Sequence, residues 1–316
     1  MRKTGKLSLA LLFLWFSHGA AADKVRLAIP SRSVSIMPFV VALKEGFYRK
    51  EGMDLEIIHM NSRLAVTATI AGSVEFSSIP GPAINAVIRG ADLKIIFVVG
   101  QRPLHDLITQ PGIRSFGELK GKIIGVTSLG SMSDTLTRKM LAKNGLEPDR
   151  DVAVRVIGTE TLQVGALKNK IISGALLTVP YNFLAQKDGF HRLAYAGDYE
   201  EVVIGGAVTT GNLLRAEPDK ALRFVRATLR GLQFYRDRKE ASLRHMGEFL
   251  QIKDSQFLAE TYSYHVATLT KTGAISPALM GRLVDDARQF AKAEKEVKNA
   301  DVFDFSLVDQ LAGATQ

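Results

Sequence analysis

Short apolar segments alternate with amphipathic helical segments along most of the chain, and this alternation limits the fold more than any other feature. Val25 to Ile29 is typical of a strand that ends at Pro30, and residues 36–50 carry apolar side chains at helical spacing. Further strands are predicted at residues 55–58, 74–79, 95–99, 106–109, 122–127, 152–157 and 175–178. Helices are predicted at residues 64–70, 82–89, 132–144 and 161–169. This order predicts an α/β fold with helices on both faces of the sheets.

The alternation divides into two blocks, the second of which starts near His105. The run 95–99 is continuously apolar and is typical of a buried strand of the parallel type. Residues 201–210 are extended, and the chain is mostly helical from Pro218 onward. At roughly 150 residues per domain, 316 residues agree with two domains.

The first 22 residues have the pattern of a secretory signal peptide. Arg2, Lys3 and Lys6 precede the mostly apolar run 7–16, and Ala20 and Ala22 form an A-x-A cleavage pattern. The apolar run is too short for a helix that crosses a bilayer. We therefore predict cleavage near Ala22 and export to the periplasm, with an uncleaved anchor as the alternative.

Composition narrows the possible chemistry. The chain has no cysteine, which excludes disulfides and thiolate metal sites, and it has no H-E-x-x-H, G-x-S-x-G or P-loop pattern. Removal of the three signal-peptide cations lowers the formal charge from +9 to +6. This mild charge favours anions but lacks the basic clustering of nucleic-acid-binding proteins. We expect no metal, no cofactor and no nucleic-acid partner.

One strand-to-helix loop is a candidate binding element. Residues 126–134 (VTSLGSMSD) lead from a predicted strand into a helix, and free backbone N–H groups at such a helix start attract anions. Gly130 would allow a ligand to approach closely. The alternative is a capping box between Ser131 and Asp134, which requires no ligand and places a negative charge at the helix N-terminus.

Three arginines follow predicted strands: Arg32, Arg63 and Arg102. Ligands of open parallel sheets bind beyond the carboxyl ends of the strands, so these loops are expected at the mouth of a cleft. A guanidinium in such a loop can hold an oxyanion through two hydrogen bonds. The competing interpretation of each arginine is an ordinary surface cation.

A series of short segments occurs in a distinctive order. They are Pro38 with Ala42, EGFY at 45–48, EGMDLE at 51–56, AGSVEF at 71–76, GADLKI at 90–95, LKGKIIGV at 119–126, Gly130-Ser131 and NGLEP at 144–148. In this order they resemble the solute-binding proteins of ABC importers in the nitrate/sulfonate/taurine-type, thiamine-precursor-like family, over about residues 25–235. The chain departs from that family at Lys170 and Ser173, where a glycine and an acidic residue are usual.

The resemblance implies the two-lobed periplasmic-binding-protein fold (type II), in which each lobe is a sheet flanked by helices and the ligand lies between the lobes. Lobe 1 would comprise residues 23–103 and 207–316, including the helical tail, and lobe 2 residues 104–206. The crossovers between the lobes are expected near Gly100–Leu104 and Gly205–Thr210.

The resemblance also implies ligand contacts from the loop after the first strand, from residues 78–80, from the loop 128–131, from residues 180–182 and from the region of the second crossover. Together with the arginines, the predicted ligand-binding residues are Ser31, Arg32, Ser33, Ser35, Ser78, Pro80, Arg102, Ser128, Gly130, Ser131, Tyr181, Asn182 and Thr209.

We therefore predict an exported, monomeric, non-enzymatic binding protein that delivers a small organic anion (a sulfonate, a carboxylate or a nitrate-like solute) to the permease and ATPase of an ABC importer. Tyr181 and Phe183 would offer apolar walls, although pyrimidines stay open as ligands. One alternative is an enzyme of the same fold acting on a pyrimidine-like or carboxylate metabolite, with His105 and Asp106 as its acid–base pair. Another is a sensor domain that presents its ligand state to a receptor.

Overall fold

The computed structural model describes residues 22–313, so the predicted signal peptide, apart from Ala22, lies outside the described residues. The strands in the described part are β1 (Asp23–Ile29), β2 (Met53–His59), β3 (Phe76–Ser77), β4 (Leu93–Gly100), β5 (His105–Thr109), β6 (Ile123–Val126), β7 (Ala153–Val156), β8 (Gly174–Thr178), β9 (His191–Tyr195) and β10 (Ile204–Thr210). The helices are α1 (Met37–Lys44), α2 (Phe47–Lys50), α3 (Ser62–Ile70), α4 (Pro80–Ile88), α5 (Met132–Lys143), α6 (Glu160–Lys168), α7 (Tyr181–Lys187), α8 (Gly211–Ala216), α9 (Pro218–Asp237), α10 (Lys239–Leu250), α11 (Ser255–Val266), α12 (Pro277–Ala291), α13 (Asn299–Val302) and α14 (Ser306–Gly313). Short 3₁₀ turns cover Val34–Ile36, Phe116–Leu119 and Ala196–Asp198.

The strands form two five-stranded mixed sheets. The first sheet has the order β2-β1-β3-β10-β4, and the second has the order β7-β6-β8-β5-β9. In the first sheet, β1 is parallel to β2 and β3, whereas β10 is antiparallel to β3 and β4. In the second sheet, β6 is parallel to β7 and β8, whereas β5 is antiparallel to β8 and β9. Two helix-flanked sheets confirm the predicted α/β, two-lobed fold class.

Two details of the predicted elements are wrong. Strand β4 was expected to be of the parallel type, but it pairs antiparallel with β10. Side chains on both faces of β4 are buried, so they are apolar whichever way the neighbouring strand runs. The helical segment 36–50 is divided, because Gly46 at φ +70° separates α1 from α2.

The first sheet and the C-terminal helices share one hydrophobic core. The ring of Phe76 in β3 stacks on that of Phe224 in α9, with ring centroids 3.8 Å apart. The ring centroid of Phe39 in α1 lies 6.2 Å from that of Phe224. Apolar residues of the later helices, such as Leu279 and Val302, belong to the same cluster. The helical tail therefore packs on the first sheet.

The second sheet has separate cores on its two faces. Leu107 and Leu176 are buried on one face, and Ile108 and Leu177 are buried on the other. These two clusters of buried residues are separate from the cluster of the first sheet.

The chain crosses between the sheets twice. Residues 101–104 join β4 to β5, close to the first predicted crossover. The second crossover, predicted near Gly205–Thr210, lies at residues 199–203, because Gly205–Thr210 is part of β10 in the first sheet. Extended sequence alone does not distinguish a connecting segment from a strand inserted between β3 and β4.

Candidate functional site

A cavity of about 600 Å³ lies between the two sheets. The first sheet contributes residues 30–35, which follow β1, and residues 78–82, which follow β3. The second sheet contributes His105 at the start of β5 and residues 178–180 at the end of β8. The cavity therefore lies beyond the carboxyl ends of parallel strands, as the sequence predicts for a ligand site.

The loop after β1 forms a hydroxyl-rich wall. The Oγ of Ser33 accepts a hydrogen bond of 3.2 Å from the backbone N–H of Ser35 and caps the 3₁₀ turn that follows. The Oγ atoms of Ser33 and Ser35 lie 3.0 Å apart. Ser31, Ser62 and Ser78 add further hydroxyl groups to the lining of the cavity.

Arg32 supplies the charge of this wall. It is the only lysine, arginine, aspartate or glutamate among the described residues that line the cavity. Its side chain is exposed, and its guanidinium carbon lies 5.9 Å from the centre of the Phe249 ring. No carboxylate within residues 22–313 forms an ion pair with it. An uncompensated guanidinium of this kind can bind an oxyanion.

Strand β10 packs tightly against this wall. A Cβ atom on Gly205, which has φ +61°, would lie 2.1 Å from the carbonyl oxygen of Ser35. The backbone N–H of Gly206 donates to the Oγ of Ser78 at 3.3 Å. The glycines thus let β10 support both serine-bearing loops at close range.

The wall from the second sheet is neutral. Burial lowers the pKa of His105 to about 4, so its imidazole is uncharged at neutral pH, and its Nδ1 atom is buried without a hydrogen-bond partner. Thr178 Oγ1 donates to both carboxylate oxygens of Glu160 at 2.8 Å, and burial raises the pKa of Glu160. This wall can supply uncharged hydrogen-bonding groups to a ligand.

The loop before α5 is capped from within the chain. Ser131 Oγ accepts from the backbone N–H of Asp134 at 3.3 Å, and Asp134 Oδ2 accepts from the N–H of Gly130 at 2.8 Å. The alternative of a capping interaction between Ser131 and Asp134 therefore describes this helix start. Ser128, Gly130 and Ser131 do not line the central cavity, which Met132 reaches instead.

Four other predicted residues also lie outside the lining of the cavity. Arg102 is exposed, and the hydroxyl of Tyr181 accepts a hydrogen bond of 3.3 Å from Thr161. Asn182 is fully buried and donates to Asp106 at 2.6 Å. Thr209 is fully buried and donates to the carbonyl oxygen of Glu75. By contrast, Ser31, Arg32, Ser33, Ser35, Ser78 and Pro80 are together at the cavity.

Several residues that line the cavity were not predicted as ligand-binding residues. Leu250, Ile252, Phe257 and Thr261 come from α10, α11 and the link between them. The family resemblance ends near residue 235, and apolar residues in a helical tail indicate only a core-facing stripe. Val203 and Ile204 line the cavity because the second crossover passes beside it.

The acid–base pair suggested for the alternative enzyme is not assembled. Consecutive residues of β5 point to opposite faces of the sheet, so His105 faces the cavity while Asp106 faces away from it. Asp106 is fully buried and accepts from Arg192 Nε at 2.8 Å and from the Tyr264 hydroxyl at 3.0 Å. Its carboxylate is therefore held in a structural network.

Two further findings concern the chain between residues 22 and 313. None of its helices has the length and apolar character needed to span a bilayer. Within the same range, His, Asp and Glu side chains do not gather in groups of three or more that could hold a metal ion.

Two helix-flanked sheets with a cavity between them define a protein of the periplasmic-binding-protein fold class. More specifically, the chain belongs to the NMT1/THI5 like family, which matches residues 33–242. This confirms the predicted family resemblance.

The chain is also similar to a binding protein along most of its length and shares its fold with solved structures. A candidate binding protein of Brucella abortus (strain 2308) is 26% identical over 314 residues, which cover 94% of this chain and 95% of that protein. The periplasmic aliphatic sulphonate binding protein SsuA from Escherichia coli superposes with a TM-score of 0.72 at 16% identity, covering 88% of this chain and 91% of SsuA. The desulfurization enzyme DSZB superposes with a TM-score of 0.73 at 12% identity, covering 93% of this chain and 100% of the enzyme. The fold is thus common to binding proteins and to an enzyme.

Proposed function

We propose that this protein is an exported solute-binding protein that holds a small organic anion between its two lobes. The observation that carries the proposal is the cavity between the sheets, where Arg32 is the single full charge among the described lining residues and serines of the same wall add hydroxyl groups. A guanidinium with several hydroxyl donors suits one oxyanionic group, such as a sulfonate or a carboxylate.

The remaining lining favours an organic solute over a bare inorganic ion. Apolar side chains from both lobes, such as Ile79, Leu104, Val203 and Phe257, face the same cavity. A volume of about 600 Å³ is in the range of small-molecule sites and exceeds what a nitrate ion needs. We propose Ser31, Arg32, Ser33, Ser35 and Ser78 as the residues that contact the anionic group.

Binding would favour the closed arrangement of the lobes. The ligand gains contacts from the first lobe and from His105 and Thr178 only when both walls are near it, so ligand binding shifts the population towards closure. We propose that the lobes divide near residues 103 and 204, the second boundary lying a few residues before the one predicted, because β10 begins at Ile204.

Delivery to an ABC importer is the cellular role that we propose. Support comes from the family, from the signal-peptide pattern and from SsuA, whose name describes a periplasmic sulphonate binding protein. In this role the protein is a periplasmic monomer, and its partners are a membrane permease and the associated ATPase.

An enzyme of the same fold is the second candidate, and the superposition of DSZB favours it. His105 is the only histidine that lines the cavity among the described residues, and its buried Nδ1 lacks a partner that could assist proton transfer. We therefore favour capture and release of an unaltered solute.

A ligand screen with a matched pair of variants tests the proposal. The chain from Asp23 onward is screened by thermal shift, and stabilising compounds are measured by calorimetry against alkyl and aryl sulfonates, aromatic carboxylates, nitrate and pyrimidines. An organic anion is expected to bind, and Arg32→Gln is expected to weaken it about tenfold, roughly 1.4 kcal/mol. Arg102→Gln, at an exposed position outside the cavity, is the control.

Three results would contradict the proposal. Equal losses of affinity in the Arg32 and Arg102 variants would show that the anion does not bind at the wall that carries Arg32. Stabilisation by neutral pyrimidines alone would show that the ligand is a pyrimidine and not an organic anion. Chemical turnover of a bound compound would favour the enzyme.

A further inference from the structure

A second cavity of about 460 Å³, here called the flanking groove, lies between α4, α5 and α12. Helix α4 contributes Ile84, helix α5 contributes Leu136, and helix α12 contributes Leu283 and Phe290. Val202, from the second crossover, adds another apolar side chain. None of these residues was predicted to have a role in binding.

The flanking groove adjoins the central cavity. Gly81, Met132 and Val203 line both spaces, so the two cavities share part of their lining. Met132 is 40% exposed and occupies the boundary. A methionine side chain is unbranched and adaptable, so it can move aside for a ligand that extends from one cavity into the other.

The flanking groove presents unusually exposed apolar surface. Phe290 is 68% exposed, and a Cβ atom on Gly130 would lie only 3.4 Å from its ring. Single exposed apolar residues are common, but here the exposed ring lies at the edge of an apolar concavity. An apolar occupant would remove this surface from water.

The charges of the flanking groove are already paired. Lys139 Nζ lies 2.9 Å from Asp286 and 3.2 Å from Glu200, and Arg282 Nε lies 3.1 Å from Glu200. Among the described residues of the lining there is therefore no unpaired cation for a second anionic group. An uncharged, apolar part of a ligand suits the groove better than its anionic end.

We propose that the flanking groove receives the apolar tail of the solute whose anionic group lies at Arg32. The solute is then an elongated amphiphile with one sulfonate or carboxylate at one end and an alkyl or aryl body. This inference rests on the proposed function and goes beyond it, because it assigns a second binding space and a ligand shape.

A homologous series of n-alkanesulfonates, from ethane- to dodecanesulfonate and below micelle-forming concentrations, tests the inference by calorimetry. Each methylene removed from water is expected to tighten binding about three- to fourfold. Phe290→Ser is expected to weaken the longest members at least fivefold and to leave butanesulfonate within twofold. Leu129→Ser is the control, because Leu129 is 70% exposed but lines neither cavity.

Thr135→Trp supplies a second, independent readout. Thr135 is exposed and lines only the flanking groove, so a larger side chain there is expected to fill the groove without unfolding the protein. Trp15, within the predicted signal peptide, is the only tryptophan of the sequence. In the chain from Asp23, all tryptophan fluorescence therefore comes from the introduced side chain. Long sulfonates are expected to shift its emission and to bind at least fivefold more weakly than to the parent chain, whereas short ones do neither.

The outcomes separate the two proposals. If short sulfonates bind but affinity does not rise with chain length, the groove assignment is wrong and the proposed function stands. Equal losses for Leu129→Ser and Phe290→Ser also overturn the assignment. If no member of the series binds, the sulfonate class fails together with the groove.

Discussion

The backbone N–H of Gly130 donates a hydrogen bond of 2.8 Å to Oδ2 of Asp134, so helix α5 carries an anion of its own at its N-terminus. Asp134 also accepts from Arg138 Nε at 2.7 Å, and its side chain is only 7% exposed. A carboxylate in this place occupies a donor that a ligand oxyanion would need and neutralises the helix end. We therefore expect anions to bind at the first lobe.

Asp134→Ala separates stability from binding. It is expected to lower the free energy of unfolding by roughly 1–3 kcal/mol, because it removes a buried cap and an ion pair. The affinity for an organic anion is expected to stay within about twofold. Urea denaturation and calorimetry measure the two quantities, with the exposed Ser128→Ala as control. A tenfold loss of affinity would show that this helix start is part of the site.

Gly205→Ala tests the close approach of β10 to the serine loop. The added methyl group would lie 2.1 Å from the Ser35 carbonyl oxygen, so either the loop moves or the fold loses about 3 kcal/mol or more. Gly72→Ala is the matched control, since Gly72 has φ +69° but no atom within 4 Å of the new methyl group. The control is expected to lose only about 1–2 kcal/mol from backbone strain. Similar losses of unfolding free energy in both variants would contradict the close-contact argument.

Asp106 is expected to be structural. Asp106→Ala leaves Arg192 and Asn182 without their acceptor and is expected to lower the free energy of unfolding by about 3 kcal/mol or more. Tyr264→Phe removes one hydrogen bond to the same carboxylate and is expected to cost about 1 kcal/mol. Thermal or urea unfolding measures both changes. An Asp106→Ala variant of unchanged stability would reopen a chemical role for this carboxylate.

Stability should fall in mild acid. Burial lowers the pKa of His105 to about 4 and that of His265 to about 3, whereas an unfolded histidine titrates near pH 6.5. The stabilising contribution of the neutral imidazoles is complete above pH 6.5. It is lost as the pH falls towards 4, because the unfolded chain binds protons first.

His265 provides the sharper test of this pH dependence. It is fully buried, with its Nδ1 atom 3.1 Å from the Tyr235 hydroxyl. His265→Gln is expected to flatten the decline of unfolding free energy between pH 6.5 and 4.5 by up to about 1.4 kcal/mol per pH unit. His59→Gln, at an exposed position, serves for comparison. Identical slopes in parent and variant would mean that the buried imidazole accepts a proton in the folded state.

Two different kinds of signal predicted the fold class and one wall of the cavity. Apolar alternation identifies strands, and the carboxyl ends of parallel strands meet at one edge, so Arg32 was expected at a cleft. The serines of residues 31–35 and the segment 78–80 were expected there because the family resemblance implies ligand contacts from them. The antiparallel pairing of β4 with β10 could not be predicted, since a strand buried on both faces is apolar whichever way its neighbour runs.

The rest of the cavity depends on contacts between distant parts of the chain. Asn182 follows a strand as a ligand-binding residue would, but its amide is taken by Asp106, 76 residues earlier. Phe257 reaches the cavity only because the tail packs on the first sheet. Neither arrangement leaves a periodic or local signal in the sequence.

The central claim is that the two lobes close over a solute, and the distance between them tests it most directly. Leu64→Cys and Leu162→Cys place spin labels at exposed positions on α3 and α6, in a chain that otherwise has no cysteine. Double electron–electron resonance then measures the distance between the two labels with and without a saturating organic anion that calorimetry has shown to bind. Labels at Leu64→Cys and Ile70→Cys, both on α3, form the control pair.

Ligand is expected to shorten and narrow the Leu64–Leu162 distance distribution and to leave that of the control pair unchanged. An inter-lobe distribution that stays the same at saturation would contradict closure of the lobes over the solute.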